Sequence, residues 1–301
     1  LEKALSELSH KLDKLNKTAI ITVTSTVNPG DCDKMINKHL KNKNISLVYS
    51  PEFIAIGSVL QDMLNPESVL LGGNDDQALD RVFSIYTRLY NSYPEYHRLN
   101  FLEAEVAKIS VNSFVTTKIS FANMIGTYVE NKTHDRSAAQ RVLNAIGGDT
   151  RIGRKYFKYG TSFGGPCFPR DNRALARHLK QELVASSLPT ATDEINNFVI
   201  ENWIKKIDEE NYDAIVLIGV AYKSGTDFIE ESFMLKIADN FKNKLSVFYN
   251  DPICEIKELE KISSENCERL LSNKNKILAL YNYGKIDLSK CKNVEIVNLW
   301  Q

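Results

Sequence analysis

The stretch from residue 101 to residue 130 constrains the fold more than any other part of the chain. It contains one glycine, Gly126, and no proline, and its apolar residues recur at helical spacing. This pattern predicts one long helix that is buried on several sides. The same spacing returns over residues 137–146, 171–180 and 191–208. Residues 101–208 are therefore expected to form an all-helical region.

Strand patterns lie on both sides of this helical region. Before it, β-branched or apolar runs at residues 18–24, 45–49 and 68–72 alternate with helical segments that end near Lys41 and Leu89. After it, strand runs at residues 214–218, 245–249, 277–281 and 294–299 are separated by helical segments at 231–241 and 263–271. Strands that alternate with helices are typical of open, mostly parallel α/β sheets. The chain is therefore predicted to form three domains, at residues 1–100, 101–208 and 209–301.

Composition excludes several classes of protein. Lys plus Arg and Asp plus Glu both total 38, so no net positive field favours nucleic acid or an anionic membrane as a partner. No apolar run reaches the length of about 18 residues that a membrane-spanning helix needs. Five cysteines without CxxC spacing fit a reducing compartment better than a disulfide or zinc framework. We therefore expect a cytoplasmic protein without a metal site.

Residues 163–171 (FGGPCFPRD) carry the strongest chemical signal. Two glycines let the backbone approach a ligand closely, and the proline before Cys167 is typical of a helix start, where the helix dipole stabilises a thiolate. Asp171 would lie one turn further along the same face. This pair suits covalent catalysis, because a thiol can hold an acyl group while a carboxylate orients water or moves a proton. A structural cysteine beside a helix cap is the alternative.

The predicted long helix also carries polar side chains. Lys108 and Asn112 share one face at a spacing of four residues, and Glu105 lies one turn before Lys108. A lysine and an amide that point together into a cleft can stabilise an oxyanion. A solvated lysine, or one paired with a glutamate, is the alternative.

Further polar side chains follow the first two predicted strands. Ser25 and Thr26 follow the first strand, and Glu52 and Phe53 follow the second. Ligands of open parallel sheets gather outside the carboxyl ends of the strands, so these residues are candidates for a ligand site. Turn-forming hydroxyls and a solvated glutamate are the alternative.

Taken together, these motifs resemble the nucleotide-sugar dehydrogenases, the family of the UDP-glucose, UDP-N-acetylhexosamine and GDP-mannose 6-dehydrogenases. The resemblance covers nearly the whole chain. It rests on STVNPG at residues 25–30, PEF at 51–53 with Gly57, EVAKISVNSF at 105–114, RIG at 151–153, FGGPCFPRD at 163–171, and GVAYK at 219–223 with Thr226, Asp227, Glu231 and Ser232. It implies two Rossmann-like parallel-sheet domains, the first incomplete, joined by an all-helical middle domain with a long central helix.

The resemblance also implies an activity. A nucleotide-sugar alcohol would be oxidised at C6 to the uronic acid with two NAD⁺ reduced, as in polysaccharide biosynthesis. Cys167 would form a thiohemiacetal and then a thioester, and Glu52 would assist water in hydrolysing it. Lys108 would stabilise oxyanions, Asn112 and Asp171 would position water and protons, and Thr26 would lie near the nicotinamide.

The resemblance assigns binding residues and partners as well. The cofactor NAD would be contacted by Ser25, Thr26, Glu52 and Cys167. The nucleotide sugar would be contacted by Phe53, Tyr156, Lys158, Phe163, Gly164, Tyr222 and Lys223, and by Arg151 reaching a neighbouring subunit's site. A homodimer through the middle helix is expected, without nucleic acid or membrane as a partner.

Some features depart from the family pattern. The 14 glycines never take the Gly-x-Gly-x-x-Gly spacing of a dinucleotide-binding turn, and the chain opens at Leu1 within a helical pattern. A fragment lacking about 60–100 upstream residues is therefore expected, inactive by itself. Glu230 stands where the family usually has an arginine that contacts the cofactor. Ile56 stands where glucose-type enzymes often carry an acidic residue, so the sequence leaves the sugar and the base open.

Two other functions remain open. One is a dehydrogenase of the 3-hydroxyacid or 6-phosphogluconate type, which shares the Lys-x-x-x-Asn pattern but needs no cysteine nucleophile. The other is a non-catalytic remnant that binds a nucleotide sugar or dimerises, which Glu230 and the lack of a glycine-rich turn favour.

Overall fold

The computed structural model describes residues 1–15, 18–40, 42, 44–54 and 56–300. They form two compact units, Leu1–Val111 and Asn112–Gln301. The division into three domains at residues 100 and 208 stays a prediction. The predicted end of the second helix, near Lys41, lies outside the described residues.

The first unit is an α/β sheet with helices on both faces. Its elements are α1 (Glu2–Leu15), β1 (Ala19–Val23), α2 (Asp31–His39), β2 (Ile45–Tyr49), α3 (Val59–Leu64), β3 (Ser68–Gly72), α4 (Asp76–Tyr86), β4 (Glu95–Leu99) and the start of α5 (Phe101–Thr133). The strand order is β1-β2-β3-β4. Alternation along β2 places Leu47 and Tyr49 in the core beneath α1 and α2, and Val48 in the opposite core beneath α4.

One strand pair of this sheet is antiparallel and two are parallel, in agreement with the mostly parallel sheet that was predicted. β1 pairs with β2, and β3 with β4, in parallel, whereas β2 meets β3 in antiparallel fashion through Tyr49 and Gly72. The physical reason lies in α3, which connects the two strands. Described in full, this helix buries none of its side chains, so it does not form the packed crossover that a parallel connection needs.

Helix α5 begins close against the first sheet. Asn100 and Glu103 cap it reciprocally, because each backbone N–H donates to the other residue's side chain. Gly72 allows the close approach, since a Cβ there would lie 2.7 Å from the Cβ of Ala104. The start of α5 is therefore fixed next to the carboxyl end of β3.

The second unit combines helices with a fully parallel sheet. It holds the rest of α5, then α6 (Arg136–Ile146), α7 (Phe168–Gln181), α8 (Ser187–Glu210), β5 (Ala214–Ile218), α9 (Phe233–Phe241), β6 (Ser246–Asn250), β7 (Glu260–Lys261), α10 (Cys267–Leu271), β8 (Ile277–Tyr281) and β9 (Val294–Asn298). The strand order is β7-β6-β5-β8-β9, and every pair is parallel. β5 is buried throughout and forms the centre of this core. The order reverses between β5 and β8, which is where α/β sheets bind ligands. No helix of the described residues is both long and apolar enough to span a membrane.

Candidate active site

The loops after β1 and β2 form the candidate site of the first unit. The N–H of Ser50 donates to the carbonyl of Val23 at 2.8 Å, which ties the ends of the two strands together. Thr26 is half-buried, whereas Glu52 is exposed. The predicted Ser25, Thr26, Glu52 and Phe53 therefore all lie at the carboxyl edge of this sheet.

Lys108 on α5 contacts the second of these loops. Its side-chain ammonium donates to the carbonyl oxygen of Glu52 at 2.6 Å and lies 4.2 Å from the centre of the Phe53 ring. The residue is only 6% exposed. The solvated lysine that the helix pattern left open is therefore not what the structure shows, because this cation is buried against a carbonyl and an aromatic face.

Glu105, one turn before Lys108, contacts the first loop. Its carboxylate accepts from the N–H of Gly30 at 2.6 Å and from the N–H of Cys32 at 2.7 Å, at the beginning of α2. Burial raises the pKa of the Cys32 thiol, and the nearby Glu105 raises it further. The sequence pattern predicted no role for Glu105. Its spacing from Lys108 indicated only that the two side chains share a helix face.

Cys167 lies immediately before α7 in the second unit. It is the N-cap residue of that helix, its side chain is exposed, and its carbonyl accepts from the N–H of Asp171. The helix begins three residues earlier than the pattern predicted, because Pro169 occupies its first turn, where no N–H partner is needed. The thiol thus lies at the positive end of α7 and is open to solvent.

Asp171 is bound by two side chains. It is 1% exposed, and its carboxylate accepts from the amide of Asn112 at 2.6 Å and from the guanidinium of Arg170 at 2.8 Å. The structure therefore brings the predicted Asn112 and Asp171 into direct contact. Arg170 is a further residue that the sequence analysis missed, although its place beside Asp171 in FGGPCFPRD was visible.

The glycines before Cys167 pack against a distant backbone segment. The N–H of Gly165 donates to the carbonyl of Glu230 at 3.0 Å, and a Cβ on Gly164 would lie 2.3 Å from the carbonyl oxygen of Glu231. Gly165 has a φ of 81°, and a Cβ there would lie 2.6 Å from the Tyr222 ring. Burial raises the pKa of Tyr222, and the neighbouring Cys167 raises it further.

The other predicted substrate residues lie in several environments. Phe163 is buried, and its backbone N–H and carbonyl both bond to the Asn196 amide. Tyr156 has a φ of 59° and meets the Phe168 ring edge to face. Three further predicted residues lie as follows: Arg151 is exposed and paired with Asp149, Lys158 is exposed, and the Lys223 carbonyl accepts from Thr226. The structure thus brings Gly164 and Tyr222 to the Cys167 loop, and gives no such contact for Arg151.

The described residues fit one end of NAD better than the other. The polar side chains at the carboxyl edge of the first sheet suit the reacting nicotinamide end. A pyrophosphate is normally bound by free N–H groups at a helix start. Three of the helices that follow strands in the described first unit have occupied starts: α2 receives the Glu105 carboxylate, α4 receives that of Asp75, and α5 receives the side-chain oxygen of Asn100. None of these three helix starts is therefore free for a pyrophosphate. The described residues also contain no group of three or more metal-ligating side chains.

Comparison with known proteins identifies the class. Residues 1–90 match the NAD binding domain of the UDP-glucose/GDP-mannose dehydrogenase family, and residues 102–198 match the central domain of the same family. The chain belongs to the UDP-glucose/GDP-mannose dehydrogenase family. The predicted family is confirmed, and NAD is confirmed as its cofactor by the match of residues 1–90.

Individual relatives agree with this assignment. The chain is 30% identical over 285 residues to a UDP-glucose 6-dehydrogenase of Rickettsia bellii, covering 91% of this chain and 63% of that relative. It is 26% identical to a UDP-glucose 6-dehydrogenase of Pseudomonas aeruginosa, covering 84% of this chain and 59% of that protein. The chain thus spans about three-fifths of the length of these relatives.

A solved structure supports the fold. The UDP-glucose dehydrogenase of Pyrobaculum islandicum superposes with a TM-score of 0.82 at 24% identity, covering 100% of this chain and 75% of that one. The predicted fold class, with α/β parallel-sheet domains and a helical middle region built on a long helix, is confirmed.

Proposed function

We propose that the protein oxidises the C6 alcohol of a nucleotide sugar to the uronic acid through an acyl intermediate on Cys167. The observation that carries the proposal is the exposed thiol at the start of α7, in a loop fixed by Gly165 and Glu230. A thiolate is the nucleophile able to retain an acyl group between two oxidation steps. The name of the Rickettsia bellii relative, UDP-glucose 6-dehydrogenase, supports the C6 oxidation of a nucleotide sugar in this proposal.

The chain's residues would perform the reaction as follows. The C6 alcohol first loses a hydride and a proton to become the aldehyde. The Cys167 sulfur attacks this aldehyde to form a thiohemiacetal, which loses a second hydride and a proton to leave a thioester. Water then attacks the thioester carbon, the carbon–sulfur bond breaks, and the thiolate and the uronic acid are released. Bound NAD supplies the hydride acceptor for both oxidations, so two NADH form for each sugar.

Polar residues assist these steps. The buried charge of Lys108 stabilises the oxyanions, because a fixed cation in a water-poor site acts strongly on developing charge. Glu52 takes a proton from the attacking water, and Thr26 lies near the nicotinamide. Asn112 and Asp171, already bonded to each other, hold water and protons in place.

In the same proposal, the second unit binds the nucleotide sugar. Tyr222, Lys223, Phe163 and Gly164 contact it, together with Tyr156 and Lys158 from the preceding loop. Arg151, exposed on its loop, would serve the site of a second copy. The sugar is left open, because Ile56 supplies no charge with which to select one.

The replacement Cys167→Ser tests the proposal in the protein that carries this chain. We expect uronate formation to stop while nucleotide-sugar binding stays within a few-fold of wild type, because a serine hydroxyl is too weak a nucleophile here. NADH release and calorimetric binding measure the two effects. Cys291→Ser, which changes a half-buried cysteine elsewhere in the second unit, is the matched control. Turnover by the Cys167→Ser variant within a few-fold of wild type would overturn the thioester assignment.

Counting NADH separates the alternatives. Two NADH per sugar without free aldehyde support the proposal, whereas one NADH with released aldehyde favours the simpler hydroxyacid-type chemistry. The occupied helix starts of α2 and α4 favour a third possibility, a protein that binds nucleotide sugars without oxidising them. Tight sugar binding with no NADH from wild type would identify it.

We also propose a homodimer through the middle helix. In the second unit, α5 exposes Phe121, Met124 and Tyr128, and Met124, Tyr128 and Phe198 line an apolar groove of about 210 Å³. Burial of such a face stabilises association. Met124→Glu is expected to convert a dimer to monomers in sedimentation velocity, whereas Leu183→Glu, at a side chain that is 95% exposed, should not. A monomeric wild type, or a dimer unaffected by Met124→Glu, would contradict this arrangement.

A further inference from the structure

Glu105 is a fully buried acidic residue whose partners are backbone N–H groups. It is 0% exposed, and its two oxygens each accept one N–H bond, from Gly30 and from Cys32. These groups belong to the first turn of α2, where N–H donors have no partner within the helix. The carboxylate therefore fastens the start of α2 to α5, and its charge is offset by the positive end of α2.

The start of α2 is continuous with the loop that carries Thr26. The backbone N–H and the side-chain amide of Asn28 both donate to the Asp31 carboxylate, and the Asp31 N–H donates back to the Asn28 carbonyl. Val27, which links Thr26 to this Asn28–Asp31 turn in the chain, is buried. A shift of the first turn of α2 would therefore move Thr26.

Lys108 binds the second loop of the first unit, the one that carries Glu52, as Glu105 binds the start of α2. It lies one turn after Glu105 on α5 and donates to the carbonyl of Glu52. Residues three apart on a helix share a face. One face of α5 thus contacts both candidate loops of the first unit. Glu105 accepts hydrogen bonds where the first loop enters α2, and Lys108 donates one to the second loop.

We infer that Glu105 is a positioning residue: it fixes the loop that carries Ser25 and Thr26, and through that loop it supports turnover. This inference rests on the proposed function, which places Thr26 near the reacting groups. Glu105 itself contacts neither substrate nor reacting atoms, because both of its oxygens are occupied by the backbone of α2.

Glu105→Gln tests the inference at nearly constant shape. The glutamine NH₂ would face a backbone N–H, so one of the two bonds is replaced by a donor–donor contact. We expect the amides of Gly30 and Cys32 to exchange hydrogen at least about tenfold faster. We expect kcat to fall by about 10- to 100-fold, because small misplacements of reacting groups slow chemistry. The KM for the nucleotide sugar should stay within about twofold, since the proposed sugar-binding residues are mostly in the second unit.

Two variants serve as controls. Glu7→Gln makes the same substitution in the same unit at an exposed residue of α1, and it should leave the exchange of Gly30 and Cys32 unchanged. Val82→Ala lowers the stability of the first unit from the opposite core, beneath α4. If Glu105→Gln does not fold, Glu105→Asp is used, which keeps the charge and shortens the reach.

Each outcome decides the matter. Faster exchange together with a lower kcat, neither shared by the controls, supports the inference. Unchanged exchange, unchanged kcat, or an equal loss of kcat in Val82→Ala overturns it. Absence of NADH formation by wild type refutes the proposed function instead, and the exchange rates of Gly30 and Cys32 then decide alone whether Glu105 fixes the loop.

Discussion

At the residue scale, Glu130 shows how the second unit supports a buried carboxylate. Tyr159, Lys206 and Arg136 all donate to it, and the Arg136 guanidinium lies 4.3 Å from the centre of the Tyr159 ring. Burial raises the pKa of Glu130, but the bonds from Tyr159 and Lys206 lower it more, so the pKa lies below its ordinary value of 4.5. The ionised form of Glu130 therefore stabilises the fold.

Replacing Glu130 by glutamine should make this contribution measurable. A depressed folded-state pKa gives stability that is present in full above pH 4.5 and is lost as the pH falls through the lower folded-state value. We expect Glu130→Gln to lower the free energy of unfolding by about 1–3 kcal/mol at pH 7, with the difference from wild type shrinking below pH 4.5. Urea denaturation at several pH values measures it. Exposed Glu201→Gln is the control, and a loss that does not depend on pH would contradict the explanation.

The positions of candidate site residues could be predicted where one short segment of sequence contains all the residues concerned. The place of Cys167 at a helix start was predicted from its local segment, although Pro169, and not the predicted Pro166, occupies the first turn of α7. The role of Glu105 could not be predicted in the same way, because it depends on which backbone groups the fold brings within bonding distance. The amides of Gly30 and Cys32 lie on a different element from Glu105, and no local pattern reports that contact.

At the element scale, apolar strands were predicted well and polar ones were missed. β2, β3, β5 and β8 have the predicted bounds, because their residues are mostly buried and apolar or β-branched. β4 (EYHRL) and the two-residue β7 were not predicted, since most of their residues are polar, none is fully buried, and only pairing with a neighbour defines them. α3 was missed because it buries no apolar face that would create a helical period.

The glycine loop before α7 yields a prediction at the same scale. Gly165 and Gly225 have φ values of 81° and 80°, so alanine is strained at both, but only Gly165 has a ring, that of Tyr222, in the path of a Cβ. We expect Gly225→Ala to cost about 1–2 kcal/mol and Gly165→Ala about 1–3 kcal/mol more. Thermal unfolding of both variants compares them directly. Equal losses would show that the Tyr222 ring moves aside freely.

At the scale of the whole molecule, the two ligands should bind the 301-residue chain unequally. In the described first unit, the Glu105 and Asp75 carboxylates already bind the first turns of α2 and α4, whereas β5 is followed by the Gly219 turn and Lys223 at the reversal of strand order. We expect isothermal calorimetry to show measurably tighter binding of a nucleotide sugar, or of its nucleoside diphosphate, than of NAD. Equal or tighter binding of NAD would contradict this expectation and would show that its pyrophosphate does not need the starts of α2 and α4.

The bond between Gly165 and Glu230 has a consequence for the order in which the protein is made. The ribosome synthesises the Cys167 segment about 3–13 seconds before residues 230 and 231 at ordinary elongation rates. A nascent chain still short of Glu230 has no carbonyl against which Gly164 and Gly165 can pack. The loop that presents the thiol therefore cannot reach its final form before the sheet that follows it has begun to emerge, and during that interval the cysteine is an ordinary thiol on an unfinished chain.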